Sequence, residues 1–195
     1  MEVYVDATTL IALGDAGHLA FLENFDGQCV VPETVAAEVT TQPATTRVEA
    51  LIEGDADGEG GPASRQEASE IPQTHLDTAR DILGESDSNG DIEIIASVLW
   101  VRDRGDVVAV VSDDRRVRTV AGDFGATVTG TVGVVVRAVH EGLTGEEAKS
   151  IVREIDSRGL HVNYPTLLLR RIRASVLEGR ALMWTPGNQS PAIGW

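Results

Sequence analysis

Apolar and polar residues alternate along this chain with two different periods, and each period predicts one kind of element. Short runs rich in β-branched residues predict buried strands, whereas apolar residues spaced three or four positions apart predict helices with one face in the core. We predict strands over Met1–Asp6, Gln28–Val31, Asp106–Val111 and Ala126–Thr129, with a brief edge strand starting at Ile71.

The helical periods fall between these strands. We predict helices over Ala7–Leu13, Leu19–Phe25, Glu33–Val39, Arg47–Glu53, Thr74–Leu83, Asp91–Trp100, Arg115–Ala121, Thr131–Glu141, Glu146–Asp156 and Thr166–Gly179. Because strands alternate with helices, we expect an α/β fold with a central, mostly parallel sheet flanked by helices on both faces. We expect residues 1–180 to form a single domain.

Two segments lack a hydrophobic period. Residues 54–70 collect glycine, proline and acidic residues, which predicts a mobile acidic loop or insertion. Residues 181–195 contain two prolines and two glycines between the tryptophans Trp184 and Trp195, which predicts an irregular tail.

The charge balance changes the expectation about partners and surroundings. The net charge is -15, and of the 16 basic residues only Lys149 is a lysine, a composition typical of proteins from a high-salt cytoplasm. The acidity is therefore weak evidence against nucleic-acid binding. No apolar run reaches the length of a membrane span and no signal-peptide pattern begins the chain, so we expect a cytoplasmic protein.

Carboxylates recur at equivalent edges of the predicted elements. Asp6 ends the first strand, Asp113 and Asp114 follow the strand Asp106–Val111, and Glu38 and Glu93 lie in helices. Parallel sheets bind ligands beyond the carboxyl ends of their strands, and acids gathered there repel unless a cation balances them. Oxygen ligands of this kind suit Mg²⁺ or Mn²⁺, which activate water for attack on a phosphodiester.

The acids other than Glu93 also have a simple structural explanation, whereas Glu93 lies in a mostly apolar segment, where an acid needs a partner. Asp6, Asp113 and Asp114 are good helix caps, and Glu38 alone is typical of a solvated helix residue. Asp91 follows Ser88 in the Ser-x-x-acid pattern of a capped helix start, which makes it a capping carboxylate. The metal hypothesis therefore depends on the whole set of acids.

Four ordered motifs resemble those of the PIN-domain nucleases. They are the segments Tyr4–Leu13, Val30–Val39, Gly90–Ala96 and Val111–Arg115, and Gly130–Leu143 is similar to a PIN subgroup described as predicted nucleic-acid-binding proteins. The resemblance covers about Met1 to Glu178 and implies a three-layer PIN-like sandwich.

The resemblance also implies a function and its residues. The metal-binding and catalytic acids would be Asp6, Glu38, Glu93 and Asp114, with Asp113 as a further metal-binding acid and Ser112 as a hydroxyl that orders the site. The family implies cleavage of RNA with Mg²⁺ or Mn²⁺, often by the toxin of a toxin–antitoxin pair, so the partners would be RNA, an antitoxin protein and a second copy in a homodimer.

Arginines supply the complementary charge. Arg115, Arg116 and Arg118 follow the fourth motif directly and are candidates for contacts with substrate phosphates. A second cluster at Arg170, Arg171 and Arg173 is explained equally well by surface ion pairs.

Two other functions compete with the nuclease. One is a catalytically inactive module on the same fold that binds RNA or a protein. The other is a phosphatase of the haloacid dehalogenase type, which is disfavoured because that class needs an aspartate where this chain has Thr8.

Overall fold

A five-stranded sheet with every strand parallel forms the centre of the molecule. The structure is a computed structural model that describes residues 1–54 and 60–158. The strands are β1 (Glu2–Val5), β2 (Gln28–Pro32), β3 (Ala63–Gln66), β4 (Val108–Val111) and β5 (Thr127–Thr129). Their order across the sheet is β3-β2-β1-β4-β5, and every pair of neighbours is parallel. The predicted α/β class with a parallel sheet is confirmed.

Helices connect the strands and cover the sheet. They are α1 (Ala7–Ala16), α2 (Glu33–Glu38), α3 (Ala44–Glu53), α4 (Gln73–Leu83), α5 (Gly90–Asp103), α6 (Arg115–Asp123), α7 (Thr131–His140) and α8 (Gly145–Ser157), with 3-10 turns at Leu19–Asn24 and Ala68–Glu70. The first helix continues past its predicted end to Ala16, where Gly17 stops it in the left-handed conformation.

The helices form two layers because the chain moves outward from β1 in both directions. Helices α1 and α3 lead from β1 to β2 and from β2 to β3, and α1 packs against α3, α7 and α8. The chain then crosses back to β4 and β5 through α4, α5 and α6, which pack together. Right-handed crossovers in opposite directions put these two groups on opposite faces of the sheet. Strand β4 between them is buried along its whole length.

Helix α5 lies deepest in the molecule. Residues Ile92 to Val98 are all buried, so it has no broad polar face. Asn89 caps its start, with the Asn89 side chain accepting a hydrogen bond from Ile92 N at 3.0 Å. The predicted cap at Ser88 is therefore wrong by one residue, and Asp91 lies inside the first turn.

The edge strand β3 lies within the segment predicted to be a loop. Its backbone pairs with β2, with Ala63 opposite Cys29 and Gln66 opposite Pro32. The Gln66 side chain is buried, where it donates to Tyr4 Oη at 3.2 Å and accepts from Ser97 Oγ at 2.7 Å. Backbone pairing and this buried polar contact hold a strand that has no hydrophobic run. The loop prediction is thus wrong for residues 63–66.

Other predictions on this region are corrected or lie outside the described residues. Ile71 follows a 3-10 turn and is buried, so it does not start a strand. The helix Thr166–Gly179, the arginine cluster of residues 170–173 and the tail 181–195 lie outside the described residues. Within residues 1–54 and 60–158, no helix is both long and apolar enough to cross a membrane.

Candidate active site

Three of the acids predicted to form a site, Asp6, Asp113 and Asp114, lie at the carboxyl ends of the two strands from which the chain continues to opposite edges of the sheet. Strands β1 and β4 are neighbours, and the connections leaving them run to opposite sides of the sheet. Such a point leaves a crevice beyond the carboxyl ends of the two strands. Asp6 directly follows β1, and its N–H donates to Val111 O of β4 at 3.0 Å. Ser112, Asp113 and Asp114 directly follow β4.

Asp6 is buried, with 5% of its surface exposed. One carboxylate oxygen accepts from Thr9 N at 2.7 Å, and the other accepts from Ser112 Oγ at 2.5 Å. Burial raises the pKa of Asp6 above its ordinary value, and the charge of Asp113 adds to the rise. Thr9 N and Ser112 Oγ therefore hold the carboxylate of Asp6 in one orientation at the start of α1.

The two aspartates after β4 have separate contacts. Asp114 Oδ1 accepts from Arg116 N at 2.6 Å and from Val117 N at 3.0 Å, so it caps α6. Asp113 accepts from Thr131 N at 3.0 Å and from Thr131 Oγ1 at 2.5 Å. Asp113 thus fixes the start of α7 to the end of β4.

Glu38 and Asp91 bring two further carboxylates to the same place. Glu38 is exposed at the end of α2, and its Oε1 accepts from Gly90 N at 2.9 Å. Asp91 is half-buried, and its pKa is raised to about 6. Burial is the largest cause, followed by the charges of Asp114, Asp6, Glu85 and Glu38. Asp91 is therefore the carboxylate whose pKa the charges of the neighbouring acids raise.

Glu93 lies apart from this group. It is 1% exposed, and its two carboxylate oxygens accept from Thr34 N at 3.0 Å and from Thr34 Oγ1. Residues two positions apart on a helix point in directions roughly 200° apart, so Asp91 and Glu93 cannot face the same neighbours. The structure brings Asp6, Glu38 and Asp114 around Asp91, which the sequence interpretation took for a cap. The two-residue spacing of Asp91 and Glu93 in the sequence already indicated that only one of them could face the other acids.

Two of the predicted substrate arginines, Arg115 and Arg116, are exposed on the first turn of α6, and with Asp114 they line a shallow cavity of about 480 Å³. Arg116 forms an ion pair with Glu85 at 2.6 Å and donates to Leu83 O, so it joins α6 to the end of α4. Asn89 and Arg116 both hydrogen-bond to Glu85 and lower the pKa of its carboxyl group. Arg116 is therefore engaged within the protein.

The acids fit a hard divalent cation by donor type and charge. Carboxylate oxygens are the ligands that Mg²⁺ and Mn²⁺ prefer, and four acids supply them here: Asp6, Glu38, Asp91 and Asp114. A cation would also lower the raised pKa of Asp91 by balancing its acidic neighbours. In the part of the chain that the structure describes, no three acid, histidine or cysteine side chains are close enough to hold one ion as placed. Asp6, Glu38 and Asp114 instead accept hydrogen bonds from N–H and O–H groups of the protein.

A comparison with protein families agrees with this fold. Residues 2–175 match the family described as DUF3368: PIN domain, and no curated protein and no solved structure matches. The molecule is thus a PIN domain, a class whose members are generally nucleases and typically use divalent metal ions. Within that class, the chain belongs to the DUF3368 family.

Proposed function

We propose that this protein is an endoribonuclease that depends on Mg²⁺ or Mn²⁺, with Asp6, Glu38, Asp91 and Asp114 as the acids that hold the ion. The observation that carries the proposal is the gathering of carboxylates beyond the carboxyl ends of β1 and β4, where Asp6 and Asp114 follow the two strands. Burial, and after it the charges of Asp114, Asp6 and other acids, raise the pKa of Asp91 beside them to about 6. A site with this excess negative charge is suited to a divalent cation.

The protein's own groups prepare this site. Thr9 N and Ser112 Oγ orient the carboxylate of Asp6, and Gly90 N holds Glu38. When bound, a divalent ion supplies Lewis-acid activation of water and charge neutralisation at the phosphodiester. Arg115, on the exposed first turn of α6, lies next to Asp114 and is the proposed contact for a backbone phosphate of the RNA.

The test is cleavage of labelled single-stranded RNA in high KCl, with and without Mn²⁺, by the wild type and by Asp6→Asn. Asparagine keeps an acceptor oxygen for Thr9 N but removes the charge, so we expect a folded protein that does not cleave. Asp87→Asn, in an exposed part of the loop before α5, removes the same charge and serves as the control. It should cleave like the wild type.

Each possible result assigns the function differently. Manganese-dependent cleavage that is lost only in Asp6→Asn supports the proposal. Equal cleavage by wild type and Asp6→Asn would overturn the acidic site. RNA binding that needs no metal and survives the substitution would support a catalytically inactive binding module instead.

The proposed partners follow from the same family membership. We propose RNA as substrate, an antitoxin protein as an inhibitory partner, and a homodimer in solution. Light scattering in high salt tests the dimer directly, since a mass of one chain would reject it.

A further inference from the structure

Helices α2 and α5 bind each other's N-terminal ends through two carboxylates. Glu38, the last residue of α2, accepts from the N–H of Gly90, the first residue of α5, at 2.9 Å. In return, Glu93 of α5 accepts from the N–H of Thr34 in the first turn of α2 at 3.0 Å, and from its hydroxyl. Each acid thus satisfies N–H groups that a helix start leaves without a partner inside the helix.

The local sequence does not supply this contact for α2. Pro32 precedes the helix and forms no side-chain cap, and the helix has only six residues. A helix this short is not stable without tertiary contacts. Glu93, almost fully buried, therefore provides the acceptor that the start of α2 lacks.

Close packing around Gly90 shows how near the two helices lie. A Cβ atom built on Gly90 would be 2.7 Å from Val35 Cγ2 and 3.2 Å from Glu38 Oε1. Only a residue without a side chain allows α5 to begin directly against α2. The position of Glu38 beside Asp91 consequently depends on how these two helices are held.

We infer that Glu93 is a positioning residue: it clamps α2 through Thr34 and so places Glu38 beside Asp91, and it does not bind the metal ion itself. The inference rests on the proposed function for the metal site, which it deepens. Asp91 faces the acids at the ends of β1 and β4, whereas Glu93 faces Thr34 on another side of the same helix.

A conservative substitution of Glu93 distinguishes a residue that holds α2 in place from one that binds the metal ion. In Glu93→Gln, the amide oxygen can still accept from Thr34 N, and the amide N–H can donate to Thr34 Oγ1. Glu93→Ala removes both contacts. Asp91→Asn is the matched variant, since it removes one charge from a carboxylate that we assign to the metal.

Two measurements test the inference on the full chain. Titration calorimetry with Mn²⁺ should give a dissociation constant for Glu93→Gln within about threefold of the wild type, and a constant at least about tenfold weaker for Asp91→Asn. Amide exchange followed by NMR should be faster at Thr34 in Glu93→Ala, and close to wild type in Glu93→Gln.

The outcomes that contradict the inference are distinct from those that contradict the proposed function. A tenfold loss of Mn²⁺ affinity in Glu93→Gln would make Glu93 a ligand. Unchanged exchange at Thr34 in Glu93→Ala would show that there is no clamp. If the wild type binds no Mn²⁺, the proposed function fails, and the exchange measurement still decides whether Glu93 holds α2.

Discussion

Replacing Asp91 with asparagine should stabilise the protein near neutral pH. The carboxylate of Asp91 is half-buried and lies in the field of Asp114, Asp6, Glu85 and Glu38, with no hydrogen-bond donor for it among the described residues. Its pKa rises from 3.8 to about 6, so the folded state disfavours its charged form. Asparagine removes that charge and keeps nearly the same shape.

The size of the effect follows from the rise in pKa. A tenfold change in proton affinity corresponds to about 1.4 kcal/mol, so the rise from 3.8 to about 6 allows at most about 3 kcal/mol. Because Asp91 is only half-buried, water screens the repulsion, and we expect about 1 kcal/mol. For a chain of this size, that corresponds to an increase of about 2–4 °C in Tm.

The pH dependence has a definite sign. Below pH 3.8, Asp91 is protonated in both the unfolded and folded states, and its charge costs nothing. As the pH rises through about 6, the folded state acquires the full cost, and the wild type loses stability relative to the variant. The advantage of Asp91→Asn should therefore grow between pH 4 and pH 7, and decrease as KCl screens the charges.

Urea unfolding at pH 4.5 and pH 7.5, with and without Mn²⁺, measures this effect. Asp87→Asn is the control, since it removes the same charge from an exposed site. Mn²⁺ at a hundred times its dissociation constant should add about 2.7 kcal/mol to the wild type and much less to Asp91→Asn. An Asp91→Asn variant that is less stable than wild type at pH 7.5, or equally changed at both pH values, would refute the reasoning.

Two further substitutions test a buried hydrogen bond and a close packing contact. Tyr4→Phe leaves the buried amide of Gln66 without its acceptor, so urea unfolding should show a loss of about 1–2 kcal/mol. A loss below 0.5 kcal/mol, as expected on average for exposed positions, would contradict this. Gly130→Ala places a Cβ against the carboxylate of Asp113 and 3.1 Å from Arg118 Nη1, and should cost about 1–3 kcal/mol. Gly122→Ala, with open space around it, should be neutral or stabilising, and equal losses at both glycines would refute the steric argument.

Much of the fold and part of the site could be predicted from the sequence. The run Asp106–Val111 is apolar enough to be a central strand, and the structure buries β4 completely. Asp6 and Asp114 lie at strand ends in the sequence, and parallel neighbours necessarily bring those ends together. These predictions held because they depend on local periods and on the geometry of parallel sheets.

The polar edge strand could not be predicted in the same way. Ala63–Gln66 has no hydrophobic period, and its place in the sheet depends on backbone pairing with β2 and on Gln66 meeting Tyr4 and Ser97. Likewise, only the structure shows that Arg116 is paired with Glu85 from a distant helix.

The chain by itself determined an α/β sheet with carboxylates at the ends of β1 and β4, because alternation and strand ends are local properties. The sequence left open whether Asp91 or Glu93 of α5 lies beside the carboxylates at these strand ends. Helix α5 is apolar on nearly every side, so its own sequence does not select one rotation. Contacts with α2 make that choice: Thr34 binds Glu93, Gly90 lies against Glu38, and Asp91 is left facing the other acids.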